Sequence, residues 1–135
     1  MAKVRQTEFH KVFLAEQKDE TLVVIPQGDA VGFRDSDIHS EMKTLLALLD
    51  DKAQFVNLVI DLKHAEYFGS TILGGLNSLG LKVRDAGGSA ALCNVSEDMR
   101  SILKVMNLDS LWPNFNSLKA ALKFVKDSSD TNTNR

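Results

Sequence analysis

Phe55-Val-Asn-Leu-Val-Ile-Asp-Leu-Lys-His-Ala-Glu-Tyr-Phe-Gly-Ser-Thr-Ile-Leu-Gly-Gly-Leu-Asn-Ser-Leu-Gly-Leu-Lys-Val-Arg-Asp85 is the stretch whose reading decides the fold. It opens with an apolar run, Phe55 to Leu62, rich in Val, Ile and Leu and too short for an ordinary helix. That predicts a strand covered on both faces, as in a parallel sheet. A loop from Lys63 to Gly69 follows, and Ser70 begins a periodic segment. Ile72, Leu76, Leu79 and Val83 recur at three and four residues, which places them on one face of a helix. Gly87-Gly88 ends that helix, and Ser89 to Asn94 reads as the next strand. The unit is β-α-β, with a right-handed crossover as the default.

Outward from this unit, Phe9 to Glu16 and Thr21 to Ile25 read as a hairpin around the polar turn 17–20, with Pro26 closing the second strand and the first exposed at the sheet edge. After a loop holding Gly28, Asp29 and Gly32, Asp35 or Ser36 caps a helix with Ile38, Met42, Leu45 and Leu49 on its apolar face. Downstream, Ser96 caps a helix whose Ile102, Leu103 and Met106 face inward, and Asn107 ends it. A short strand is expected at Asn114-Phe115. Ser117 caps a last helix with Leu118, Leu122 and Val125 toward the core. The expected architecture is α/β: one domain over 1–126 with a mixed, mostly parallel sheet of four to five strands and about four helices, and a disordered tail over 127–135.

Composition narrows the function. A chain of 135 residues with 44% apolar and 25% charged residues is an ordinary globular domain with room for a core. A net charge of -2 gives no reason to expect nucleic acid or an anionic membrane as partner. Lone Cys93, within a strand, fits a reducing compartment and a buried small apolar side chain. There is no signal-peptide pattern and no apolar run of transmembrane length, so a cytoplasmic protein is expected. His10, His39 and His64 are scattered, without Cys or paired carboxylates nearby, so no metal site and no cofactor are expected.

The chemistry gathers at Ser70, where strand gives way to helix. Ligands and partners of open α/β sheets meet the carboxyl ends of strands. A hydroxyl there faces unpaired N–H groups and the positive end of the helix dipole, where a phosphate would be stabilised. Ser is also a common N-cap and nothing more. The glycine spacing of Gly69 to Gly75 resembles a phosphate loop but lacks its Lys and following hydroxyl. Ser70, His64 and Asp61 supply the inventory of a hydrolase, but base and orienter crowd into one loop and no G-x-S-x-G elbow is present; an enzyme is not expected. Gly74, Gly75 and Gly80 within the helix each cost about 1 kcal/mol relative to Ala. Either they allow close packing, or they leave a smooth face, with Ser78 and Lys82, on which a partner lies.

From Thr21 to Val125 the chain resembles the STAS domain family, the fold of bacterial anti-sigma-factor antagonists. The resemblance is carried by Leu58-Val-Ile-Asp-Leu62, Tyr67-Phe-Gly-Ser-Thr71, Ala86-Gly-Gly88, Ala91-Leu-Cys-Asn-Val-Ser96, Leu108-Asp-Ser-Leu-Trp-Pro113 and Ser117-Leu-Lys-Ala-Ala-Leu122. It implies a cytoplasmic transcription regulator, a monomer or weak dimer, whose partner is an anti-sigma factor that is also a serine protein kinase. By position, Ser70 matches the phosphorylated residue, with Thr71 the second choice. Gly69, Ser70, Thr71, Gly74, Gly75, Ser78 and Asp29 are the expected partner-binding residues. Gly69 stands where the family usually has Asp, Ile72 where it has Gly, and Val31 where an acid falls. Those departures keep open an alternative: a STAS-type scaffold or interaction subunit that is not phosphorylated.

Overall fold

The computed structural model describes residues 12–27, 34–65, 70–105, 107 and 112–133; at 70, 71 and 129–133 it describes the backbone alone. The elements run β1 (Phe13–Lys18), β2 (Thr21–Pro26), α1 (Asp35–Leu48), β3 (Asn57–Asp61), α2 (Ser70–Asp85), β4 (Ala90–Cys93), α3 (Glu97–Val105), β5 (Asn114–Phe115) and α4 (Leu118–Thr133). The strands lie side by side in chain order. β1 and β2 are antiparallel, and every later pair is parallel. This is the mixed, mostly parallel α/β sheet expected, with the short β5 at Asn114-Phe115.

Strand alternation divides the core in two. Leu22, Val24, Leu58, Ile60, Ala90 and Leu92 join Ile38, Met42, Leu45, Ile72, Leu76, Leu79, Met99 and Leu103, so α1, α2 and α3 cover one face. Val23, Ile25, Val59, Ala91 and Cys93 join Ala121 and Val125, so α4 covers the other. All five residues of β3 are buried, as its apolar run requires. Among the described residues no helix is long and apolar enough to cross a membrane.

Several local expectations shift. β1 starts at Phe13, and although it is an edge strand by pairing, Phe13 and Ala15 are fully buried. An edge exposes backbone groups along one side; it says nothing of the faces, and this one is covered. The hairpin turn is the two residues Asp19 and Glu20, with Asp19 at φ 56°. Asp tolerates that left-handed geometry better than most residues. α1 has Arg34 at its N-cap position with no side-chain capping bond, so Asp35 and Ser36 lie inside the helix instead of capping it. In α3 the buried pair is Met99 and Leu103, with Ile102 half-buried; Met106 lies outside the described residues. α4 runs to Thr133, into the polar segment from Asp127 expected as a tail. That segment has no Gly or Pro to stop a helix already nucleated by its packed first turns.

The other caps stand as expected. Ser96 Oγ accepts from Met99 N at 3.1 Å, and Ser117 Oγ from Ala120 N at 3.1 Å. Asn107, at φ 59°, follows α3. Gly87, at φ 92°, ends α2: its N–H donates to Arg84 O and that of Gly88 to Val83 O, the paired bonds of a Schellman motif.

Candidate functional site

Three parts of the chain converge at the carboxyl end of the central strands: the exit of β3, the start of α2 and the exit of β4. Ser70 is the first residue of α2. α1 opens with Asp35 and Asp37 in its first turn, and α3 with Glu97 and Asp98, whereas the first turns of α2 and α4 carry no acid. The positive end of the α2 dipole is therefore not offset by its own side chains, the arrangement that favours an added anion. Gly69 and Asp29 lie outside the described residues, as do the side chains of Ser70 and Thr71.

Asp61 ends β3 and is fully buried. Its Oδ1 accepts from Lys63 N at 3.1 Å and from Asn94 Nδ2 at 2.9 Å, and Lys63 Nζ stands 3.8 Å from Oδ2. Among the described residues Oδ2 has no hydrogen-bond partner. Asp61 is thus a loop-organising carboxylate that ties the exits of β3 and β4 together. Asn94 reaches it from a left-handed backbone, φ 58°, a conformation Asn adopts more readily than most residues. The expected strand included Asn94; β4 ends at Cys93, which frees Asn94 to turn back on Asp61. His64 is exposed, and no hydrogen bond to Asp61 forms among the described residues, so the two do not make the base–orienter pair of a hydrolase. No group of three metal-ligating side chains occurs among the described residues.

Cys93 is fully buried beside Asp61. Burial first, then the Asp61 charge and a hydrogen bond to it, push the thiol up to about 12, against a smaller opposing pull from Lys63. The unfolded thiol ionises near 9.0, so the folded state is favoured below that value and loses this contribution as pH rises from 9.0 to about 12. At about pH 8, Cys93 is expected to resist a thiol reagent such as dithionitrobenzoate in the native protein and to react on unfolding; rapid native labelling would contradict this burial.

The glycines of α2 serve different purposes. A Cβ on Gly75 would lie 2.4 Å from Met42 Cε, and one on Gly80 2.2 Å from Trp112 Cζ2, so both allow close packing against neighbours. Gly74 is exposed, and a Cβ there would meet nothing within 4 Å among the described residues. Along α1 and α2 an open groove of about 400 Å³ is lined by Ile38, His39, Met42, Gly74, Gly75 and Ser78. It brings together three of the expected partner-binding residues, Gly74, Gly75 and Ser78. Gly75 is its half-buried floor, not a free surface. Lys82 is ion-paired with Asp50, away from this role. Met42 on the groove belongs to the core-facing stripe of α1, and exposed His39 beside it carries no sequence signal for this role.

Comparison with known proteins agrees with this geometry. No curated protein sequence matches the chain significantly. Among solved structures, the unphosphorylated anti-sigma factor antagonist SpoIIAA superposes with a TM-score of 0.71 at 14% identity, covering 85% of this chain and 96% of that one. SpoIIAA of Bacillus in its phosphorylated form gives 0.65 at 14% identity, covering 83% and 98%. An anti-sigma factor antagonist from Mycobacterium paratuberculosis gives 0.69 at 24% identity, covering 85% and 93%. At these identities the likeness is one of fold. The model of the STAS domain matches residues 12–121, most of the sequence. The chain belongs to the STAS domain family.

Proposed function

We propose that this protein is an anti-sigma-factor antagonist-like regulator, switched by phosphorylation of Ser70 and binding a partner that is both serine kinase and anti-sigma factor. The observation that carries the reading is the position of Ser70 as first residue of a helix whose opening turn holds no acid. A phosphoryl group there gains from the helix dipole and adds nearly two negative charges. The same charge beside the groove on α1 and α2 repels a partner surface that fits the neutral hydroxyl. Gly69, Thr71, Gly74, Gly75, Ser78 and Asp29 complete the proposed partner surface. The protein acts in the cytoplasm, as a monomer or weak dimer. That SpoIIAA has been solved in unphosphorylated and phosphorylated forms supports the reading by analogy of fold.

Phosphopeptide mass spectrometry on protein from its own cells, growing and stressed, tests it. Phosphate on Ser70 that changes with condition is expected. With the partner identified, Ser70→Asp is expected to bind about tenfold more weakly than Ser70→Ala, a difference visible by calorimetry. A Ser70 that is unmodified in every condition supports instead a STAS-type scaffold without phosphorylation. Gly69 and Ile72, in place of the family's usual Asp and Gly, favour that second reading.

A further inference from the structure

At the opposite end of the sheet from Ser70, where β2 and β3 begin, the molecule has a second concave surface, a cleft of about 790 Å³. Its floor holds Thr21 and Asn57, both buried. Its walls carry Lys18 from the end of β1 and Lys119, Lys123 and Lys126 from α4. All four lysines are exposed, and none is ion-paired among the described residues. This is a local excess of positive charge on a protein of net charge -2. Its acidic members, Asp19 and Glu20, sit together on the hairpin turn, so the α4 wall carries three lysines beside Leu122 and no acid.

We propose that this cleft binds an acidic peptide segment of a partner protein, independently of the Ser70 surface. Lys119, Lys123 and Lys126 follow the four-then-three spacing that puts them on one face of α4. At 1.5 Å rise per residue they extend over about 10 Å. One phosphate is too small to satisfy that row, and lysines supply no preformed fork for it. An extended chain advances about 3.4 Å per residue, so about four residues with alternating carboxylates span the row. A bilayer or a nucleic-acid duplex presents a broad anionic face that cannot enter the cleft and would meet the acidic remainder of the protein. The apolar side of α4, Ala121 and Val125, is packed on the sheet and has nothing to insert into lipid. Facing the opposite end of the sheet, the cleft leaves the Ser70 surface free for a second protein at the same time.

A fluorescein-labelled octaglutamate peptide titrated with the full chain at low ionic strength, read by fluorescence anisotropy, tests this. Saturable binding is expected, weakened about tenfold by Lys119→Glu with Lys123→Glu and unchanged by the exposed controls Lys43→Glu with Lys52→Glu. Amide shifts in a titration of ¹⁵N-labelled protein should concentrate at residues 18–21 and 119–126. Lys119→Gln with Lys123→Gln, which removes charge without adding repulsion, should fall between wild type and reversal. Four results would overturn the proposal: no binding, equal weakening by the control pair, displacement by inorganic phosphate at the peptide's own concentration, or preferential capture of phosphatidylserine vesicles over the peptide.

Discussion

Gly88→Ala is expected to lower the unfolding free energy by about 3 kcal/mol, as read by urea denaturation. An added Cβ would stand 1.8 Å from the carbonyl oxygen of Val56 and 3.0 Å from Val83 Cγ1. The first of those atoms is backbone and cannot rotate away. It is also pinned: Val56 N donates to Glu20 O at 2.8 Å, and Leu58 N to Ser89 O at 3.0 Å, so both chains that would have to part are held in the sheet. Gly74→Ala is the contrasting variant. With open space around it on an exposed helix, it is expected to raise stability by about 1 kcal/mol through helix propensity alone. Equal effects of the two substitutions would contradict the packing described.

Trp112→Ala is expected to cost about 4 kcal/mol, a large part of the stability of a domain of this size. The indole is 4% exposed and closes an apolar cavity beneath α2 lined by Leu62, Leu73, Leu76, Leu92 and Leu103. Removing it enlarges a space of about 20 Å³ that the surrounding leucines cannot fill. Its ring also lies where a side chain on Gly80 would be. Gly80→Ala alone should therefore be destabilising, and much less so in the Trp112→Ala background, a favourable coupling that a double-mutant cycle by chemical denaturation reads directly. Additive effects would mean that the two residues do not share this contact.

The β3–α2–β4 unit was legible because its signals are local and redundant. A strand buried on both faces is apolar throughout, and the stripe from Ile72 to Val83 and the Gly87-Gly88 stop each report the same helix. The cap serines at 96 and 117 were legible for the same reason. What escaped was tertiary. Nothing local distinguishes Gly75 and Gly80, pressed against Met42 and Trp112, from Gly74, where an added Cβ would meet open space. Nor does the sequence around Asn94 reveal that its amide meets Asp61, 33 residues away. Of the candidate site, the helix start at Ser70 was legible, and α2 begins there. The lack of an acid in that helix's first turn gains meaning only beside the acidic first turns of α1 and α3.

The strand order has a consequence for how the chain assembles. Every strand pairs with its predecessor in sequence, so the sheet can grow from the first hairpin onward as the polypeptide leaves the ribosome, each closure spanning one connection. The first three helices can dock progressively on one side. The other side, with Val23, Ile25, Val59, Ala91 and Cys93, is covered by α4, which follows all five strands in sequence. Until α4 has been made, that half of the core stands open to water and to other nascent chains, so this helix acts as the closing step of folding for the domain.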